Sequence, residues 1–157
     1  MGFSLGLDTP NRVKWVKYSG QITLTTIRDV NRMMQAQPGW RRNLNLFVDV
    51  TDVENVQLDF PAMIAAAEMT SSNVDQTETA PKPRFSLCYE TEHHYAMGRM
   101  MFAVMDRLGR FDCEMFTEEK AALAWLGCKD LKFSTHAAST STQNSLSSDT
   151  IPKSIFL

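Results

Sequence analysis

The stretch Leu44-Asn45-Leu46-Phe47-Val48-Asp49-Val50 is nearly continuous in apolar character. A strand of that kind is expected where both faces are covered, which predicts a parallel sheet with helices packed on it. The segments around it fit that demand. Residues 3–7 and Val13-Lys14-Trp15-Val16-Lys17-Tyr18 flank the turn composition Asp8-Thr9-Pro10-Asn11 and predict a hairpin. Gly20 then breaks the chain. Thr23 is placed to cap a helix whose apolar positions Leu24, Ile27, Val30, Met33 and Met34 recur at three and four residues, and Pro38-Gly39 ends it.

After the central run and a polar turn, a second helix is expected from about Asp59 to Met69, with Pro61 tolerated in its first turn. A long connection over 70–83 closes on Pro81-Lys82-Pro83, which favours extended backbone into the strand Arg84 to Glu90. Thr91 caps the next helix, roughly His93 to Gly109. Phe111 to Phe116 reads as a short strand. Thr117 caps a last helix with Glu118 and Glu119 in its first turn and with Trp125 and Leu126 as core anchors. The order β-β-α-β-α-β-α-β-α predicts an α/β layer fold, mostly parallel, with one antiparallel N-terminal strand.

Composition sets the boundaries. From Lys129 to Leu157, eleven of 29 residues are Ser or Thr, too polar to offset their conformational entropy. The expected division is therefore a domain over 1–127 and a Ser/Thr-rich disordered tail over 128–157, whose apolar end Ile155-Phe156-Leu157 either frays or docks. A net charge of −2 gives no basic footprint for nucleic acid, and no apolar run approaches the ~20 residues of a membrane helix. Three cysteines without a CxxC pair, and a start without signal-peptide character, fit reduced thiols in the cytoplasm.

No catalytic motif is present: no Walker A loop, GxSxG elbow, HExxH or Rossmann glycine triplet. His93 and His94 are adjacent on a helix and point apart, so they read as solvated helix-start residues rather than metal ligands, and no metal or cofactor is expected. Cys88 and Cys113 read as buried thiols. Met97, Met100, Met101 and Met105, with Phe102, make an apolar helix wider than one stripe. Core packing explains that breadth, and so does a flexible surface for partners or lipids. Ligands of open α/β sheets sit beyond the carboxyl ends of the strands. Those ends carry Asp49 and Thr51, then Glu90, Thr91 and His93, then Thr117, with the 70–83 connection placed to cover the opening.

With the elements in this order, the chain resembles STAS domains (sulfate-transporter and anti-sigma-factor-antagonist domains). Ser19-Gly20-Gln21-Ile22-Thr23 looks like the Gly-x-Leu-Asp entrance to their first helix, and Phe47-Val48-Asp49-Val50-Thr51-Asp52-Val53-Glu54 resembles their "LDLS-x-V" strand and loop. The segment Phe116 to Leu126 is similar to the closing "vF-x-x-x-x-x-Al-x-WL" of stand-alone bacterial members. The same architecture recurs in CRAL-TRIO lipid-binding domains. The resemblance implies a non-enzymatic regulatory or protein-interaction module acting through a protein partner or a homodimer. The alternative is a carrier or sensor of a small apolar or amphipathic ligand beneath the Met-rich helix. Some STAS domains are phosphorylated at the start of the second helix. Here Gln57-Leu58-Asp59-Phe60 stands at that position without a hydroxyl, so the phospho-switch does not carry over and Asp59 joins the candidate site as a fixed charge.

Overall fold

The structure, a computed structural model, describes residues 2–75, 81–128, 130, 131 and 133. Five strands form one sheet in the order β1-β2-β3-β4-β5. Strand β1 (Gly2–Asp8) is antiparallel to β2 (Val13–Thr23), and β3 (Asn45–Gln57), β4 (Arg84–Cys88) and β5 (Asp112–Phe116) follow in parallel. Between them run α1 (Leu24–Gln35), α2 (Phe60–Ser71) and α3 (Glu92–Leu108), and α4 (Glu119–Trp125) closes the sequence. The expected element order and the single antiparallel strand are both present.

Each parallel crossover steps to the next strand in the same direction. With a constant right-handed sense, that puts α1, α2 and α3 side by side on one face. Helix α4 follows the edge strand and packs on the other face, against β3, β4 and β5. Period-two alternation divides the side chains accordingly. Leu46, Val48 and Val50 join the three-helix core, whereas Phe47 joins Trp15, Ala122, Leu123 and Leu126 beneath α4. Gly6 is required by this second layer. It sits opposite Trp15 in the ladder, and a Cβ there would lie 2.9 Å from the indole ring.

The caps expected at Thr23 and Thr91 form, and Asp59 supplies another. The hydroxyl of Thr23 accepts from the Thr26 amide at 3.2 Å, with a reciprocal bond back from the Thr23 amide to Thr26. A carboxylate oxygen of Asp59 accepts from the Ala62 amide at 2.9 Å, and the Thr91 hydroxyl from the His94 amide at 3.1 Å. Gly109, at φ 69°, supplies the left-handed turn that ends α3.

Other expectations are corrected. Gly20 does not break the chain. At φ 71° it accommodates register shifts that let β2 continue to Thr23. Its partner continues too, so the supposed polar turn after Val50 is strand: Ser19, Gln21, Ile22 and Thr23 pair with Asp52, Asn55, Val56 and Gln57. Thr117 does not cap α4. Glu118 occupies the N-cap, with no side-chain bond to the helix. Leu126 is buried as expected, but Trp125 is only half-buried, with the Arg84 guanidinium 5.1 Å from its ring centroid.

Packing also continues past Gly127. Cys128 is fully buried, and Leu131 and Phe133 pack on the layer beneath α4. Phe133 stands edge-on to Trp15 with centroids 4.8 Å apart, under the Lys17 ammonium at 3.7 Å from its ring. The packed body therefore reaches Phe133 rather than stopping at 127. The Ser/Thr-rich stretch from 134 onward lies outside the described residues. Truncating Phe133 to alanine should lower stability by about 2 kcal/mol, roughly half the cost at a fully buried phenylalanine. A thermal melt reads this as a loss of several degrees. An unchanged midpoint would show that Phe133 adds nothing to the body.

Candidate functional site

Helices α1, α2 and α3 do not close completely on the sheet. Between them lies a cavity of about 130 Å³. Val16, Ile22, Val48 and Leu87 form its sheet wall, and Ile27, Val30, Met63, Met97 and Met101 form the helix wall. The lining is almost wholly apolar. A buried cavity of about 150 Å³ lined by such side chains stays dry and admits benzene. Val56, Leu58, Met97 and Met101 are half-buried, so the cavity meets solvent near the carboxyl ends of the strands. Its floor lies at the amino end of β2 and the last turns of α1 and α2, where Lys14, Asn31 and Thr70 line it.

Five polar side chains reach this space: Lys14, Tyr18, Asn31, Thr70 and His94. Two are committed elsewhere. The Asn31 amide donates to the Ile27 carbonyl and accepts from Asn73, each at 3.0 Å, and the Thr70 hydroxyl donates to the Ala66 carbonyl at 2.9 Å. His94 is buried with Nδ1 unpartnered among the described residues, which corrects its reading as a solvated helix-start residue; His93 beside it is exposed. Burial, together with the His93 charge, holds the His94 imidazole below its usual range, so it is neutral at pH 7. Burial alone pushes the Tyr18 phenol well above its usual range.

Lys14 is the unusual member. It is 3% exposed, and among the described residues no carboxylate lies within ion-pair distance of its ammonium. Its ammonium lies 6.0 Å from the centroid of the Phe111 ring. Burial, aided by the Arg42 guanidinium, lowers its pKa from 10.5 to about 8. An uncompensated buried cation costs stability, and a perturbed titratable group in a cavity is a functional candidate with a physical rationale.

None of the seven residues expected at the strand ends lines the cavity. Asp49 and Thr51 bond each other at 2.7 Å, with Asp49 in register with Lys17 and Cys88; Lys17 pairs with Glu119 at 3.1 Å. Asp59 and Thr91 are committed as helix caps, and Glu90, His93 and Thr117 are exposed. The rule that prompted the expectation needs a reversal of strand order to open a crevice. Here β2 to β5 run in simple succession, so no such crevice forms. Residues 76–80 of the 70–83 connection lie outside the described residues. Its described part bonds at the amino ends of the strands, with the Asp75 amide donating to Asn43 at 2.8 Å.

Sequence reasoning missed Lys14 and Tyr18, although a signal was available. Lys14, Val16 and Tyr18 alternate onto one face of a strand whose other face carries Val13 and Trp15. A lysine on a covered face stands out. The thiols are inert by comparison, since burial raises Cys88 to about 11 and Cys113 to about 12. Among the described residues no group of three His, Cys, Asp or Glu is placed to hold a metal.

The cost of Lys14 has a definite pH signature. Its folded pKa lies below the unfolded value of 10.5, so the penalty is complete below about pH 8 and vanishes as pH rises to 10.5. Lys14→Met should therefore stabilise the fold at pH 7 by up to ~3 kcal/mol, with the gain shrinking between those limits. Denaturant titrations across that pH range check it. A destabilised variant at pH 7 would mean that the ammonium is well paired.

No family model matches the sequence, and no curated protein matches it. Among the solved structures similar to this chain is an uncharacterised protein of the DUF3478 family with a SpoIIAA-like fold, from Shewanella loihica. It superposes with a TM-score of 0.54 over 80% of this chain and 94% of that one, at 13% sequence identity. That identity speaks for architecture alone. The antiparallel first strand, the sequential parallel sheet and three helices on one face agree with it, and the chain has a SpoIIAA-like, that is STAS-like, fold.

Proposed function

We propose that this STAS-like domain is a non-catalytic binding module, a carrier or sensor whose ligand is small and apolar or amphipathic. The observation that carries the reading is the apolar cavity beneath α3, with Met97 and Met101 at its mouth and the uncompensated Lys14 at its floor. Flexible, polarizable methionines suit a wall that must yield to an entering ligand. The polar groups available support binding rather than turnover. Among the described residues no carboxylate lines the cavity and no ion pair reaches Lys14, so the pieces of a nucleophile–base set are not assembled. Among the same residues no helix is long and apolar enough to cross a membrane. Free, protonated thiols suit the reducing cytoplasm.

A second reading, docking of a protein partner or a second copy, is favoured by the exposed side chains Phe60, Tyr95 and Met100, at 57%, 41% and 46%. Both readings dispense with a phosphorylation switch, because Asp59 holds the helix start as a permanent charge.

Methyl NMR of the full chain tests the cavity reading. Titration with benzene should shift the ε-methyl signals of Met63, Met97 and Met101, which line the space, and leave exposed Met100 in place. No shift, or equal shifts at all four, would contradict it.

A further inference from the structure

Resting on that reading, we infer that the cavity is selective for an organic monoanion, a free carboxylic acid with a short apolar body, seated with its carboxylate on Lys14. Within the cavity Lys14 is the only charged lining residue among those described, and it has no acidic partner there. The neighbouring cations are engaged outside. Arg42 pairs with Asp75 at 2.6 Å, and Arg110 donates to the Ser71 carbonyl at 3.2 Å. Tyr18 and His94, the other titratable groups in the lining, are neutral at pH 7.

The floor's surroundings narrow the anion further. It lies beside the last turns of α1 and α2, whose dipoles present partial negative charge. A single ammonium there can balance one negative charge. A phosphate dianion would bring a second against those carbonyl ends, with no guanidinium among the described lining residues to receive it. A carboxylate fits one lysine, and its apolar body then runs past Val48 and Leu87 toward Met97 and Met101. Its arrival also removes the penalty of the bare cation, so binding and protonation of Lys14 reinforce each other. Affinity should be highest where the free ammonium is charged and should fall as pH rises through about 8.

The test uses the full chain with hexanoate and hexanol, which share an apolar body and differ in charge. Isothermal titration gives the affinities, and the methionine methyl signals confirm the site. At pH 7 hexanoate should bind at least about tenfold tighter than hexanol, the gain of a buried charge-assisted bond. That advantage should disappear at about pH 9.5, where hexanoate is unchanged and Lys14 has lost its proton. His94, held below its usual range, does not titrate in that interval. Lys14→Met should abolish the preference while still binding hexanol. Should that variant fail to fold, the pH comparison on the native sequence decides alone. Equal binding of the two probes at both pH values would overturn the anion selectivity and leave the apolar binding module standing. Binding of neither would overturn both.

Discussion

The parallel ladder between β2 and β3 governs what the rest of the chain can do. It runs from Val13 opposite Asn45 to Thr23 opposite Gln57, far beyond the five-residue strands β4 and β5. Because both strands extend past the point where the sheet's other members stop, Ile22, Val50 and Val56 build a wall that α2 and α3 do not fully cover. The cavity is a consequence of that mismatch in length. Its floor is set by the same ladder, since Lys14 lies opposite Leu46 at the amino end.

The two faces of the sheet are built to different standards. Beneath α4, Trp15 and Phe47 pack with small partners, Gly6 and Ala122, and Phe133 seals the edge. Beneath the three helices, Phe85, Phe102, Phe111 and Met105 make a dense cluster next to an unfilled volume. Interiors normally approach crystalline density, and voids forfeit dispersion energy. A domain that tolerates both a void and a buried bare cation on one face gives up stability at one place, and such places are commonly functional.

Much of this architecture was legible in the sequence because it depends on local chemistry. Thr23, Asp59 and Thr91 act as caps through bonds to amides three residues on, which spacing alone identifies. The sheet's mixed sense followed from the hairpin and from the two-faced apolar run. Non-local features were harder to read. The strand over 51–57 is polar and exposed at Asp52, Glu54 and Asn55, and only its pairing with the segment beyond Gly20 makes it strand. Thr117 had a cap's composition but lies one residue outside the N-cap. His94 reveals its burial only once α3 is placed against the cavity.

Everything proposed for the cavity depends on Lys14 standing in it as a cation without an acidic partner among the described residues. Heteronuclear NMR titration of the Lys14 ε-carbon measures it directly. The midpoint should lie near 8 in the free protein and move upward when a carboxylate occupies the cavity. A midpoint at the ordinary 10.5, unmoved by added carboxylate, would contradict it.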